Sequence, residues 1–387
     1  MTLRPWRDRY LVFGAPTIGD EERREVAACI DSGWLGSGPR VARFERAFGE
    51  YVGVTDTVAV NSCTAALHLA LRALQLAPGD EVITSAMTFC ATANAIVHAG
   101  LTPVLVDCAR DTQNLDPDAV AARIGPRTRA LVPVHFAGRP CDMARLTALA
   151  QKHQLRIVED CAHAIESTID GRHCGTFGEF GCFSFYVTKN VTTVEGGMLT
   201  CRDPASAGAI RTAALHGMSK DAWHRYGDDG FVHYEVEEPG FKYNLTDLAA
   251  SFGIHQLARV EASWQRRRAL WTFYEQALRH LPLVLPAPVP PNVRHGLHLF
   301  TCLVDDTRTR HSRDEVVAGL HALRIGTGVH YRPVHLHGWY RRTFGYAEGA
   351  CPNAEHIGAR TFSVPLSPAV TDEDAADVVR ALEAVLA

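Results

Sequence analysis

Short apolar runs that alternate with helical stretches occupy the first half of the chain. Several of the runs are continuous and β-branched, which is typical of strands covered on both faces. Helical patterns at Thr64–Gln75, Asp142–His153 and Pro204–Ala213 lie between them. This alternation predicts an α/β fold with an open, mostly parallel sheet and right-handed crossovers. The seven predicted strands are Thr57–Val60, Glu81–Thr84, Pro103–Val106, Ala130–Val134, Leu155–Glu159, Cys182–Tyr186 and Met198–Cys201.

The pattern changes after about residue 250. Leu257–Leu281 predicts one long helix, and the proline-rich link Pro282–Pro291 follows it. A smaller α+β unit then ends in a predicted helix over Asp372–Leu386. We therefore expect a large domain over residues 1–250, with an N-terminal arm, and a small C-terminal domain over residues 251–387.

Charge and cysteine usage exclude several classes of protein. A formal net charge of −4 over 387 residues gives no general attraction to nucleic acid or to an anionic membrane. The 11 cysteines form no Cys-x-x-Cys pair, and most lie inside apolar runs, as expected for reduced thiols. The uncharged stretch Val82–Val106 is interrupted by polar residues and divides well into strand, helix and strand. Since the N-terminus also lacks a signal-peptide pattern, we expect a cytoplasmic protein with no nucleic-acid or membrane partner.

One lysine lies in an unusual setting. Lys189 follows the aromatic segment Phe183–Tyr186, and partial burial there would lower its pKa and free the amine for imine formation. Asp160 ends a predicted strand, where ligands gather in open α/β sheets, and a carboxylate there can pair with a pyridinium nitrogen. The alternatives are a surface lysine and a helix-capping aspartate. Together the two residues predict chemistry that uses pyridoxal 5′-phosphate (PLP), and Ser184 could reach its phosphate.

Two further segments fit a phosphate and a flat ring. Asn61–Ala66 lies between a strand and a helix, and a helix N-terminus binds phosphate through free amides and a partial positive charge. Thr64 can add a hydroxyl there, and the small Ala65 permits close approach, although an ordinary helix cap is the simpler alternative. Phe89 follows a strand end and could stack on a pyridine ring, or it could be a core residue.

Several motifs occur together along nearly the whole chain. They are Ser32–Pro39, Gly79–Thr84, Val134–Gly138, Glu159–His163, Ser184–Asn190, Gly240–Asp247 and Gly328–Tyr331. In their order and spacing these motifs resemble the DegT/DnrJ/EryC1/StrS family of PLP-dependent aminotransferases, which act on nucleotide-linked keto sugars. The resemblance implies PLP-dependent transferase fold type I, with a mostly parallel seven-stranded sheet in the large domain and a smaller C-terminal α+β domain.

The resemblance also implies roles for individual residues. Lys189 would bind the cofactor covalently, Asp160 would meet its ring nitrogen, and Phe89 would stack on the ring. His163 would lie beside the ring, although it could equally be a helix-packing histidine. The phosphate would be held by Thr64, Ala65 and Ser184, and by Asn244 of the neighbouring subunit, so that a homodimer would share its active sites.

The substrate pocket is less well defined. His330, His335 and His337 form a local cluster, but no carboxylate or cysteine lies beside them at metal-ligand spacing, so we expect no metal. The resemblance implies instead that His330 and His335 border a sugar pocket, which Trp34 would approach across the dimer. The segment His216–Tyr243 could close over the nucleotide or could be a plain surface insertion.

These residues predict a PLP-dependent aminotransferase with a ping-pong mechanism. Its expected substrate is a nucleotide-activated 4-keto sugar, a 4-keto-6-deoxyhexose or a 4-keto pentose, and its expected amino donor is glutamate. A C3-specific sugar aminotransferase and an aminocyclitol aminotransferase use the same residues and stay open. A catalytically silent sensor is the other alternative, but it would not need Lys189, Asp160 and Ser184 together.

Overall fold

The computed structural model describes residues 6–218 and 235–387 of the chain. Its strands are β1 (Asp56–Val60), β2 (Glu81–Ser85), β3 (Thr102–Val106), β4 (Thr128–Val132), β5 (Arg156–Asp160), β6 (Thr168–Ile169), β7 (Arg172–His173), β8 (Phe180–Ser184), β9 (Gly197–Cys201), β10 (Leu283–Val284), β11 (Val293–Arg294), β12 (Phe300–Val304) and β13 (Thr361–Val364). Its helices are α1 (Asp20–Asp31), α2 (Pro39–Val52), α3 (Cys63–Ala73), α4 (Cys90–His98), α5 (Pro117–Arg123), α6 (Met143–His153), α7 (Pro204–Ala214), α8 (Asp247–Ala258), α9 (Val260–Ala277), α10 (Arg313–Ala322), α11 (Gly338–Phe344), α12 (Pro352–Arg360) and α13 (Asp372–Leu386).

A seven-stranded sheet forms the centre of the first half of the chain. Its strand order is β1-β9-β8-β5-β4-β2-β3, and all seven strands coincide with the predicted apolar runs to within two residues at every end. Every pair is parallel except those made by β9, which is antiparallel to both of its neighbours. The predicted mostly parallel α/β fold is therefore confirmed. Because β2, β4, β5 and β8 run the same way, their carboxyl ends share one edge of the sheet.

Helices cover both faces of this sheet. On one face, α3 packs against β8 and β9 and is buried on almost every side. Its buried residues include Leu67, Leu69 and Leu71. Such a helix needs small residues where it meets the strands, and Ala65, Ala66 and Ala70 meet this need. On the other face, α2 and α8 pack together, and Phe44 and Phe48 contact the rings of Phe183 and Phe185.

The second half of the chain builds a separate hydrophobic core around the antiparallel sheet β10-β12-β13 and the helices α10 and α13. The N-terminal segment is bonded to this part. Leu11 donates a backbone hydrogen bond to the carbonyl of Arg324 (2.9 Å), and Gly326 donates one to the carbonyl of Leu11 (2.8 Å). The residues that follow, Phe13 and Gly14, are thereby held next to the C-terminal unit.

The predicted long helix Leu257–Leu281 is present as α9 (Val260–Ala277), but its predicted ends are wrong. Leu257 and Ala258 belong to α8, and the two helices meet at Arg259 (φ −110°, ψ 11°). The Arg259 guanidinium bonds both the carbonyl of Thr17 and the fully buried carboxylate of Glu22. A buried charge needs a partner, and the break in the helix accompanies this pairing. The predicted division at residue 250 falls inside α8 and stays a prediction.

Two other predictions concern the ends of this region. The expected link Pro282–Pro291 contains the short strand β10, whereas the final helix Asp372–Leu386 is confirmed. The uncharged stretch Val82–Val106 forms β2, α4 and β3, as expected. Among residues 6–218 and 235–387, no helix combines the length and the apolar character needed to cross a bilayer.

A methyl group at Gly197 should destabilise the fold. It would lie 2.5 Å from the backbone carbon of Ser62 and 2.7 Å from the amide nitrogen of Cys63, where α3 begins. Neither backbone atom can move independently, so we expect Gly197→Ala to lower the free energy of unfolding by about 2 kcal/mol. Chemical denaturation measures the change. The matched control is Gly208→Ala in α7, where a new methyl group meets nothing within 4 Å and should stabilise by up to about 1 kcal/mol. Equal unfolding midpoints for the two variants would contradict this account.

Candidate active site

A cavity of about 430 Å³ lies at the edge of the sheet where β2, β5 and β8 end. The start of α3, the N-terminal segment and three segments of the C-terminal unit complete its walls. Seven of the predicted site residues line this cavity. They are Thr64, Phe89, Asp160, His163, Ser184, Lys189 and, from the C-terminal unit, His330. A larger open groove near Tyr51 and Arg202 lies at the opposite edge of the sheet and contains none of them.

Lys189 follows β8 and extends into this cavity. Its side chain is only partly accessible. The surrounding protein desolvates the amine and lowers its pKa to about 8, whereas the nearby carboxylate of Asp160 opposes this shift. Within the part of the chain that the structure describes, no residue accepts a hydrogen bond from its Nζ atom. A lysine with a free and partly neutral amine can attack a carbonyl at neutral pH.

Asp160 ends β5 and is buried. Its Oδ2 atom accepts a hydrogen bond from Thr92 Oγ1 (2.8 Å), and its Oδ1 atom accepts one from the amide of Ala162 (3.1 Å). Burial raises the pKa of Asp160, and these two hydrogen bonds and Lys189 oppose the rise. The carboxylate is thus oriented by the protein and still has lone pairs for a cationic partner in the cavity.

The start of α3 forms one wall. Ser62 caps the helix by accepting a hydrogen bond from the amide of Ala65 at its Oγ atom (3.1 Å). The amide of Ala65 is thus bonded to Ser62, its side chain is buried, and its role at the phosphate stays a prediction. The amides of Cys63 and Thr64 have no acceptor within the helix, and both residues line the cavity, as does Ser184. Helix N-termini of this kind bind phosphate.

An aromatic side chain stands open in the cavity. Phe89 precedes α4 and is 56% exposed, which is unusual for a phenylalanine inside a folded chain. Its ring lies 5.7 Å from that of Tyr331. The alternative of a core phenylalanine does not describe this position, and the exposed face is free to stack on a planar ligand.

His163 is a neutral member of the cavity wall. Its Nδ1 atom accepts a hydrogen bond from the amide of Ala137 (3.2 Å), which places the proton on Nε2, 3.3 Å from the hydroxyl of Tyr331. Burial, reinforced by Lys189, lowers the pKa of His163 well below its ordinary value. The residue therefore lines the cavity as well as packing against the fold.

The two histidines predicted to border the substrate pocket lie in different places. His330 lines the cavity, its Nδ1 atom lies 2.8 Å from Ser363 Oγ, and burial lowers its pKa to about 3. His335 is fully buried and lies outside the cavity lining, and its role at a sugar pocket stays a prediction. Its Nε2 atom is 2.9 Å from the carboxylate of Glu355, a partner contributed by the first turn of α12.

A different cluster has metal-ligand spacing. The ligand atoms of His135, Glu159 and Cys161 lie within 4.8 Å of one another, and all three residues are buried. The histidine, however, accepts a hydrogen bond from the amide of Cys141 at Nδ1 (3.0 Å) and donates one from Nε2 to Glu159 (3.0 Å). Since both ring nitrogens are already bonded, this cluster holds the fold together and offers no open ligand set.

Trp34 and Asn244 lie outside the cavity of their own chain. The Trp34 indole donates to the carbonyl of Ser37 (3.0 Å), and the Asn244 amide donates to Ser37 Oγ (2.7 Å). Both residues therefore share one surface, and their roles in a neighbouring subunit stay predictions. Most of the predicted closing segment His216–Tyr243 lies outside the described residues.

Three residues that line the cavity were not singled out from the sequence. Tyr331 belongs to a recognised motif, but nothing in that motif distinguished its hydroxyl. Thr92 lies one turn into the helix after Phe89, and this spacing from a strand end could have identified it. His298 lines the cavity just before β12, in the segment His295–Leu299, where two histidines flank apolar residues.

The residues present fit pyridoxal 5′-phosphate. A lysine with a lowered pKa, a buried carboxylate for the ring nitrogen, an exposed aromatic ring and a free helix N-terminus surround one cavity. Gly197 also permits the close contact between β9 and the start of α3 that forms the phosphate end. Each part of the cofactor therefore has a matching group in the chain.

Comparison with known proteins agrees with this site. A model of the DegT/DnrJ/EryC1/StrS aminotransferase family matches residues 16–383. The spore coat polysaccharide biosynthesis protein SpsC of Bacillus subtilis is 46% identical over 381 residues, which is 98% of each chain. The structure of Spr1654 from Streptococcus pneumoniae, named as a sugar aminotransferase and solved in its PMP form, aligns with a TM-score of 0.90 at 32% identity over 97% of both chains. DesI, solved in the presence of its TDP-sugar product, aligns with a TM-score of 0.86 at 32% identity, over 99% of this chain and 94% of DesI.

The chain belongs to the DegT/DnrJ/EryC1/StrS aminotransferase family. It is an enzyme, and its cofactor is pyridoxal 5′-phosphate. The predicted class, a sugar aminotransferase of this family with PLP-dependent transferase fold type I, is confirmed.

Capture of the cofactor by the apoprotein should accelerate with pH up to about 8 and then level off. Only the unprotonated amine attacks the aldehyde, and below the pKa of about 8 each pH unit lowers the reactive fraction of Lys189 about tenfold. The visible absorbance that develops after mixing measures the rate. Asp160→Asn is a useful companion, because loss of the opposing negative charge should move the break to lower pH. A rate that keeps rising beyond about pH 9.5 would indicate an ordinary lysine pKa.

Proposed function

We propose that this aminotransferase converts the keto group at C4 of a nucleotide-activated sugar into an amino group, with glutamate as the amino donor. A 4-keto-6-deoxyhexose or a 4-keto pentose is the proposed sugar. The observation that carries the proposal is the placement of a partly neutral Lys189 and an oriented Asp160 in one cavity. A catalytically silent sensor would need neither feature.

Asp160 and Lys189 have different roles in the proposed reaction. When bound, PLP supplies the electron sink that allows an amino group to leave one carbon and later join another. Asp160, held by Thr92 and the amide of Ala162, keeps the ring nitrogen protonated. Lys189 would hold the cofactor, and its amine, with a pKa of about 8, would be able to accept and return a proton beside it. The donor and the keto sugar use the same lysine, so they must enter in turn.

The side of the cavity formed by the C-terminal unit suits a sugar. His330 and Tyr331 present neutral polar groups there, and burial lowers the pKa of the histidine to about 3, so it stays uncharged. Neutral donors and acceptors match hydroxyl groups without attracting a free carboxylate. Two relatives support a nucleotide sugar: DesI was solved with its TDP-sugar product, and SpsC is named for polysaccharide biosynthesis.

We also propose a homodimer in which each subunit completes the site of the other. Large apolar side chains are exposed on the surface that carries Trp34 and Asn244, including Leu35 (45%) and Leu248 (36%). Leu248 donates a backbone hydrogen bond to Leu35, so these residues form one patch. Burial of such a patch against a second copy would be favourable and would bring Asn244 to the partner's cavity.

Turnover should require Lys189. We expect Lys189→Ala to lower conversion of a 4-keto nucleotide sugar in the presence of glutamate by at least about 1,000-fold, because both the tether and the proton carrier are lost. NMR of the product from 4-keto and 3-keto substrates identifies the carbon that is aminated. Lys152→Ala, at an exposed position of α6, is the matched control and should behave as the wild type. Full turnover in Lys189→Ala would end the proposal, and amination at C3 would change its regiochemistry.

Mixed dimers test the shared site. Lys189→Ala and Asn244→Ala should each be weakly active, whereas refolding them together at equal amounts should restore about a quarter of the wild-type sites, since half of the dimers are mixed and each mixed dimer has one intact site. Steady-state activity of the mixture measures the recovery. If Asn244 served the cavity of its own subunit, mixing would restore nothing.

A further inference from the structure

A histidine absent from the proposed mechanism faces the cavity with a fixed tautomer. His298 is 8% exposed and lies before β12, with its ring 4.4 Å from that of His163. Ala137 positions both rings, because its amide donates to His163 Nδ1 and its carbonyl accepts from the amide of His298 (3.0 Å). The wall beside the cofactor site is therefore built as one unit.

The tautomer of His298 follows from its neighbour Asn190. The Asn190 amide nitrogen donates to the carboxylate of Glu166 (2.8 Å) and to the carbonyl of Gly296 (2.9 Å). Its oxygen must then face His298 Nδ1, 3.0 Å away, and a carbonyl oxygen can only accept. Rotation of the amide by a half turn would put three acceptors together. Nδ1 of His298 therefore carries the proton.

A buried ion pair keeps this arrangement in place. Glu166 is fully buried and pairs with Arg267, which is 1% exposed and belongs to α9. A series of contacts therefore connects the buried charge of Arg267, through Glu166 and Asn190, to His298. Burial, reinforced by Lys189 and His330, lowers the pKa of His298 well below its ordinary value, so the ring is neutral.

A neutral ring with a proton on Nδ1 has only a lone pair at Nε2. No residue in 6–218 or 235–387 donates a hydrogen bond to that atom, and the side chain lines the cavity. Such an acceptor repels the carboxylates of an amino donor and the oxygens of a phosphate, but it attracts a hydroxyl group. The keto sugar is the component of the reaction that carries hydroxyl groups.

We propose that His298 is a specificity-determining residue whose Nε2 atom accepts a hydrogen bond from the sugar hydroxyl next to the carbonyl that is aminated. The proposal rests on the proposed function, because it needs a keto sugar as amino acceptor. The reacting carbon must come within reach of Lys189, which lines the same cavity and whose chain neighbour Asn190 holds His298. We therefore assign the hydroxyl beside that carbon to Nε2 of His298.

The test compares two acceptors, a keto nucleotide sugar and its analogue that lacks the hydroxyl beside the carbonyl. The wild type should prefer the hydroxylated sugar in kcat/KM by about tenfold, the value expected for one buried hydrogen bond to a neutral group. His298→Phe keeps a ring but removes the acceptor, and it should abolish this preference by slowing the hydroxylated sugar alone. His298→Gln, which can still accept a hydrogen bond, should recover part of it. The glutamate half-reaction, followed by cofactor absorbance, should change by less than about twofold in both variants.

Two outcomes would overturn this inference alone. In the first, His298→Phe retains the preference for the hydroxylated sugar. In the second, His298→Phe slows the glutamate half-reaction as much as the sugar half-reaction. The second outcome would indicate a general structural role or a contact with Lys189. If the wild-type enzyme accepts an amino group from glutamate but aminates no keto sugar, the proposed function is overturned, and this inference with it.

A spectroscopic measurement keeps the inference testable if His298→Phe does not fold. Nitrogen NMR of the holoenzyme labelled with ¹⁵N-histidine, with the His298 signals assigned by comparison with His298→Gln, should show a neutral ring protonated at Nδ1. The Nε2 signal should shift when the aminated sugar nucleotide binds. A proton on Nε2, or an unchanged signal on binding, would refute the proposed hydrogen bond.

Discussion

The active site depends on one buried carboxylate that does no chemistry. Glu159 is fully buried, and each of its oxygens is bonded twice. One accepts from the amides of Phe177 (2.6 Å) and Gly178 (2.8 Å), and the other from the amide of Gly175 (2.8 Å) and from His135 (3.0 Å). These four bonds offset the cost of burying the charge and hold the loop before β8 against β5. Because successive side chains of a strand point to opposite faces, fixing Glu159 also fixes the next residue, Asp160, towards the cavity.

The electrostatic character of the cavity follows from burial. Lys189 is the only lysine or arginine among the described residues that line it, and the three lining histidines are all held neutral by desolvation. Positive potential for a phosphate must then come mainly from the start of α3. A cavity with one cation and several neutral polar groups can discriminate between ligands by the direction of their hydrogen bonds, because few charged groups are present to attract or repel them.

The parts of this site that sequence reasoning predicted depend on local patterns. Continuous apolar runs identify buried strands, and the rule that ligands gather at the carboxyl ends of parallel strands brings Asp160 and Ser184 together. What the local patterns did not predict has the opposite cause. His335 lies outside the cavity and is paired with Glu355 in α12, and the helix break at Arg259 accompanies a buried Glu22 more than 200 residues earlier. These partners are distant in the sequence and come together only in the folded chain, so a local pattern cannot reveal them. The orientation of His298 could not be predicted for the same reason.

The bonds between Leu11 and the C-terminal unit have a consequence for the modular design of such enzymes. The N-terminal segment contributes Phe13 and Gly14 to the cavity, yet its backbone is paired with Arg324 and Gly326, far along the chain. The wall that faces the substrate is therefore a composite of the two ends of the polypeptide. A chimera that exchanged only the C-terminal portion with that of a relative would combine mismatched halves of this wall, so a graft intended to change substrate range has to include both ends.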